Sequence, residues 1–147
     1  MLHLYDRATM AHALTLDLEP RLHALLSERI AALSDDLIDY TEYLVVEPGD
    51  TEADIIRHVG FSPLIEPIDG IRFGQPGFQP HWDLLVDHGG WFELIETFGS
   101  AFAYVLLIRN EEGIETGIRQ LCRHYALSQK GSSLLDRNDI VGNGTQS

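Results

Sequence analysis

The chain has 147 residues, 44% of them hydrophobic, enough for one domain burying about 68% of its unfolded surface and too little for two independent ones. Its 23 acidic and 10 basic residues give a formal net charge of −13, which disfavours direct binding to nucleic acid or to an anionic membrane. A lone cysteine, Cys122, leaves no intramolecular disulfide and no cysteine-based zinc site, and with no apolar run of transmembrane length and no secretory signal the expected setting is the reducing cytoplasm.

Residues 1–15 are weakly patterned and read either as a flexible lead-in or as a short helix. From Pro20 onward Leu22, Leu25, Leu26, Ile30, Leu33 and Leu37 recur at helical spacing, which predicts a helix over 20–36 with proline in its first turn. Residues 40–47, β-branched and aromatic, form a strand closed by Pro48-Gly49. Thr51 and Asp54 have capping-box spacing, Ile55, Ile56 and Val59 supply an apolar face, and Gly60 ends that helix. Pro63, Pro67, Pro76 and Pro80 forbid a long central strand, which leaves a small edge hairpin around Asp69-Gly70. Residues 80–88, followed by Gly89-Gly90, have proline at one end and glycine at the other and are expected to make a short helix burying Trp82, Leu85 and Val86. After the segment 91–108, Ile114, Ile118, Leu121, Cys122 and Tyr125 outline an amphipathic helix, and the Ser-, Gly-, Asn- and Asp-rich 128–147 are expected to be disordered. The expectation is a single α+β domain over 1–127.

The organising stretch is 91–108, WFELIETFGSAFAYVLLI, read as a β-hairpin about a Gly99-Ser100 turn. Counting outward sets Glu96 against Ala103 and Leu94 against Val105. Trp91, Glu93 and Ile95 then share a face with Tyr104 and Leu106. The second arm is apolar on both sides, so a layer must cover each face. The predicted sheet is mostly antiparallel, built on this central hairpin with helices packed against it. Glu93 and Glu96 fall on opposite faces, where a carboxylate is paired, protonated or at a rim.

Recognisable catalytic patterns are lacking: no GxSxG, P-loop or dinucleotide fingerprint, and seven scattered histidines without HxH, HxxH or HExxH spacing. His81-Trp82-Asp83, with His124 as a third ligand, has facial-triad spacing, but residues two apart on a helix diverge, so no metal is expected. Cys122 sits on an apolar stripe and reads as an inert core thiol. No cofactor is implied. An enzymatic or small-ligand alternative rests on Glu93 and Tyr104 as catalytic groups, in a pocket beside the hairpin formed by Trp82, Trp91, Glu93 and Tyr104.

The other distinctive feature is an acidic sector without a basic residue between Arg29 and Arg57, containing Asp35, Asp36, Asp39, Glu42, Glu47, Asp50, Glu52 and Asp54, of which all but Glu47 are the candidate contact residues. Its functional reading is a docking face for a protein with a basic surface, and its plain reading a solvated, solubilising one. Within it, Tyr43 to Ser62, YLVVEPGDTEADIIRHVGFS, resembles the first half of a LysM carbohydrate-binding module: strand, Pro-Gly-Asp-Thr turn, helix. The likeness covers about twenty residues, Glu52 stands where that family has leucine, and no glycan-binding residue carries over. The leading expectation is a small non-enzymatic interaction module of accessory, immunity-like or regulatory kind, and a homodimer is a further option.

Overall fold

A computed structural model of the chain describes residues 1–80, 82–98 and 102–125. Among these, five strands form one sheet: β1 (Leu2–Leu4), β2 (Thr41–Val46), β3 (Leu84–Asp87), β4 (Trp91–Phe98) and β5 (Phe102–Arg109), in the order β1-β2-β5-β4-β3. Four α-helices accompany them: α1 (Arg7–Ala13), α2 (Pro20–Ala32), α3 (Glu52–Val59) and α4 over 116–125. The fold class is therefore α+β. The expectation of a mostly antiparallel sheet on a central hairpin needs correction, because the sheet is mixed and its middle strand is β5. That strand runs parallel to β2 and antiparallel to β4. A parallel pair requires a long crossover, here everything between Val46 and Phe102, and no local pattern announces which distant strand will take the second position beside β5.

The two faces of the sheet carry separate cores. Even-numbered residues of the inner strands, Leu44, Val46, Phe92, Leu94, Leu106 and Ile108, pack under α3 and α4 through Ile55, Ile118, Leu121 and Cys122. Odd-numbered ones, Tyr43, Val45, Trp91, Val105 and Leu107, pack under α1 and α2 through Met10, Leu22 and Leu26. This alternation is why β5 is apolar on both sides.

Residues 91–98 and 102–109 pair antiparallel in a register one residue away from the expected one: Glu96 lies opposite Tyr104, not Ala103, and Leu94 opposite Leu106. Phe98 pairs with Phe102, so three residues rather than two separate the arms; the expected Gly99-Ser100 turn lies outside the described residues. A slip of one changes which side chains share a face, and this one moves Tyr104 away from Glu93 and onto the side of Glu96.

The short helix expected over 80–88 is instead strand β3, antiparallel to β4. The turn chemistry explains it. Asp87 accepts from the Gly89 N–H at 2.8 Å, Gly89 adopts φ +85°, and His88 N–H donates to Trp91 at 2.8 Å, which makes Asp-His-Gly-Gly a hairpin turn rather than a helix end. Two turns of helix would gain little on their own, whereas β3 gains a ladder with β4 and buries Leu85. The lead-in is ordered: β1 adds antiparallel to β2 and α1 follows under a capping box made by Asp6 and Thr9. The edge hairpin near Asp69-Gly70 reduces to a single bridge, Ile65 to Arg72. The expected disordered tail, 128–147, falls outside the described residues.

Helix α2 stops at Ala32, short of the predicted Asp36, because Leu33 turns extended and the Ser34 carbonyl takes the N–H groups of Leu37 and Ile38. Leu37 leaves the helical stripe for solvent. A 3-10 turn, Ile38–Tyr40, then feeds β2, anchored by buried Ile38 and by Thr41 Oγ1 donating to the Leu37 carbonyl at 3.0 Å. Helix α3 carries the predicted caps, Thr51 with Asp54 at its start and left-handed Gly60 at its end.

Candidate functional site

The two carboxylates singled out in β4 have opposite surroundings. On the odd face, Glu93 is 1% exposed and every oxygen is taken. Arg29, in the last turn of α2, donates Nε to Oε2 at 2.8 Å and Nη2 to Oε1 at 2.9 Å, and His88 Nε2 donates to Oε1 at 2.8 Å. Burial alone would push the Glu93 carboxyl up, but the hydrogen bonds and charges of Arg29 and His88 outweigh it and hold it below the usual range. The Arg29 guanidinium is held protonated in return. Nearby Tyr43 is pushed up to about 12, first by burial and then by the Glu93 charge. This is a clasp fixing α2 and the β3–β4 turn to the sheet, with both carboxylate oxygens bonded to the chain's own donors. Trp91 is fixed on the same face by donating Nε1 to Glu19 at 3.0 Å, under the Arg109 guanidinium.

On the even face, three neighbouring strands place Glu42, Tyr104 and Glu96 in one row, since Glu42 and Glu96 both pair with Tyr104. The outer two lie two strand spacings apart, about 10 Å between Cα atoms. Glu96 is buried; Glu42 is at the rim and accepts from His3 Nε2 at 2.9 Å. His3 in turn meets His58 of α3, edge to face with centroids 5.5 Å apart, while His58 Nδ1 bonds the Asp54 carbonyl at 2.9 Å. Rings continue the row towards the sheet end: Phe61 contacts Tyr104 at 5.5 Å, Tyr104 stacks on Phe102 at 5.8 Å, and Phe102 meets Tyr40 edge-on at 5.8 Å. The Tyr104 hydroxyl is raised by partial burial and by the charge of Glu42.

The pocket expected from Trp82, Trp91, Glu93 and Tyr104 is thus divided by the sheet itself. Trp91 and Glu93 belong to the odd face; Tyr104 and Trp82 to the even one, where Trp82 packs edge-on against Tyr125 at 5.3 Å. Glu93 and Tyr104 cannot act on one substrate.

The acidic sector is distributed along β2 rather than gathered. At the far end of that strand, Asp50 bonds the N-terminal ammonium and the Glu47 N–H, Glu52 takes Arg72 and the Ser62 hydroxyl, and Asp54 serves the α3 cap and Arg57. These bonds hold Glu52 and Asp54 below the usual carboxylate range, for Glu52 against the opposing effect of burial. At the near end Asp35 reaches Arg7 at 2.9 Å, both highly exposed. Asp36 and Asp39 are exposed, and they flank two uncovered apolar side chains, Leu37 at 52% and Tyr40 at 48% exposure.

Other candidate groups resolve simply. His81 lies outside the described residues, and Asp83 accepts from Thr97 N–H and Oγ1 at 2.9 and 2.6 Å. No group of three His, Cys, Asp or Glu that could hold a metal occurs among the described residues. Burial pushes the Cys122 thiol up to about 12. A cavity of about 400 Å³, bounded by Phe73, Phe78, Pro80, Leu121, His124 and Tyr125, opens where α4 reaches the last described residue.

Arg29, His88, His3 and Phe61 were not singled out by the sequence. Arg29 and Glu93 are 64 residues apart, and nothing local marks such a pair. The Asp-His-Gly-Gly turn would have placed His88 three positions before the strand that carries Glu93. No family model, curated protein or solved structure matches the chain. The LysM likeness stays confined to the local order of β2, turn and α3. No helix among the described residues is long and apolar enough to cross a membrane.

Proposed function

We propose that the chain is an interaction module that docks a basic protein partner through the near end of β2, with Asp35, Asp36 and Asp39 supplying charge and Leu37 and Tyr40 supplying apolar contact. One observation carries this reading: exposed carboxylates alternate with exposed large apolar side chains on a segment anchored by buried Ile38 and the 3-10 turn. A mixed apolar and charged patch of that kind is what interfaces use, with charge steering encounter and apolar area supplying affinity. The net charge of −13 favours a cationic partner. Asp50, Glu52 and Asp54, whose carboxylates stabilise the chain's own turn and helix, are assigned to the fold rather than to the contact.

Capture from a native lysate, with each retained protein identified and retested in purified form, compares two variants of equal charge change. Asp36→Lys with Asp39→Lys abolishes retention of the basic partner, whereas Glu47→Lys with Glu111→Lys, at the opposite end of the sheet, keeps it. Equal loss in both variants would reduce the effect to net charge and sink the assignment.

A second reading, a small-ligand or catalytic site using a buried carboxylate, is favoured by the Glu42–Tyr104–Glu96 row and belongs to Glu96 rather than Glu93. As for a homodimer, the free edge of β3 would be its simplest route. Asp83 and Asp87 at the two ends of that edge would face each other in a two-fold pairing centred on Leu85, which opposes self-addition.

A further inference from the structure

Resting on the docking reading, we infer that the aromatic row beside the acidic segment is the seat for an arginine side chain of the partner. The four rings Phe61, Tyr104, Phe102 and Tyr40 follow one another at centroid distances of 5.5 to 5.8 Å and lead from the segment after α3, past the start of β5, to the docking segment. Tyr40, half exposed, is itself the last residue of that segment. The row is open at this end: Phe61, Phe102 and Tyr104 are each only partly buried, while α3 and α4 cover the sheet further along. Exposed π faces attract cations, and a planar guanidinium stacks on them while its edge donates hydrogen bonds.

The carboxylates supply the acceptors for that edge. Glu42 stands beside Tyr104 on the adjacent strand, at the rim, with one oxygen bonded to His3 and its side chain about one-fifth exposed. An arginine lying on the Tyr104 or Phe102 ring reaches it without entering the core. Lysine, a compact and strongly hydrated charge, gains less from a flat aromatic surface, so arginine is the better fit.

The test uses short capped peptides, Gly-Arg-Gly, Gly-Lys-Gly and the uncharged citrulline analogue, titrated into the full chain and followed by two-dimensional NMR. The expected result is saturable shifts at Glu42, Phe61, Phe102 and Tyr104 with the arginine peptide, weaker ones with lysine, and little with citrulline. Glu42→Gln lowers the arginine affinity about tenfold. Tyr104→Leu, checked by its own spectrum for an intact fold, removes binding, and Tyr104→Phe retains it. Shifts confined to Asp36 and Asp39, equal shifts from arginine and citrulline, or no shift would each overturn the seat. None of these touches the docking reading, which stands or falls on partner retention by the Asp36→Lys, Asp39→Lys variant.

Discussion

Glu93 and Glu96 are three positions apart on one strand, both nearly inaccessible, yet the sheet turns them to opposite faces. Glu93 is closed by a bidentate arginine and a histidine, so its charge is consumed in holding α2 and the β3–β4 turn in place. Glu96 faces a tyrosine in a row of aromatic rings that runs out to solvent. Burial of a carboxylate therefore says nothing about function until its partners are known, and the partners are set by strand parity.

The largest expected effect breaks the closed side. Arg29→Met leaves Glu93 buried with only His88 as partner and should cost about 3–5 kcal/mol in urea unfolding. Replacing both, Arg29→Met with Glu93→Leu, should recover most of that loss, because an apolar pair of similar volume avoids the desolvation of two charges. The same clasp predicts a pH dependence. The Glu93 carboxyl is held low in the folded chain, so the stability it provides is fully present above the ordinary carboxylate value and is lost as pH falls through the lowered one. Unfolding curves for Glu93→Gln should show a shallower acid decline than the parent chain.

Smaller effects belong to the open side. Thr51→Ala removes the α3 cap that orders the approach to His58 and should cost about 1 kcal/mol in thermal unfolding. Glu42→Gln removes only a rim pair with His3 and should change stability by less than about 1 kcal/mol. If Glu42→Gln proved as damaging as Arg29→Met, the division between a structural and an available carboxylate would fail.

Much of this architecture is legible in the residues. Caps at Thr51 and Gly60, proline at the start of α2 and the two-sided apolarity of β5 are local signals, and each lands where the chain puts it. What escapes is whatever depends on distant partners or on one-residue precision. Strand β1 is three residues, Leu2–Leu4, with no period to detect, and exists because β2 offers it an edge. Strand β3 is followed by glycines, Gly89 and Gly90, that suit a helix end equally well, and only pairing with β4 decides between them. The register of β4 against β5 differs by a single residue from the one counted outward from Gly99-Ser100, and with it the company of Tyr104. The acidic sector is continuous in sequence, but the extended β2 carries its two halves to opposite ends of the sheet.

The most direct test of the contrast is carbon-13 NMR of the glutamate carboxyl groups, recorded with and without the arginine peptide. Glu42 should move on addition of the peptide while Glu93, its oxygens already occupied, stays in place and titrates below the ordinary range. A Glu93 signal that follows the peptide, or a Glu42 signal that ignores it, would contradict the account.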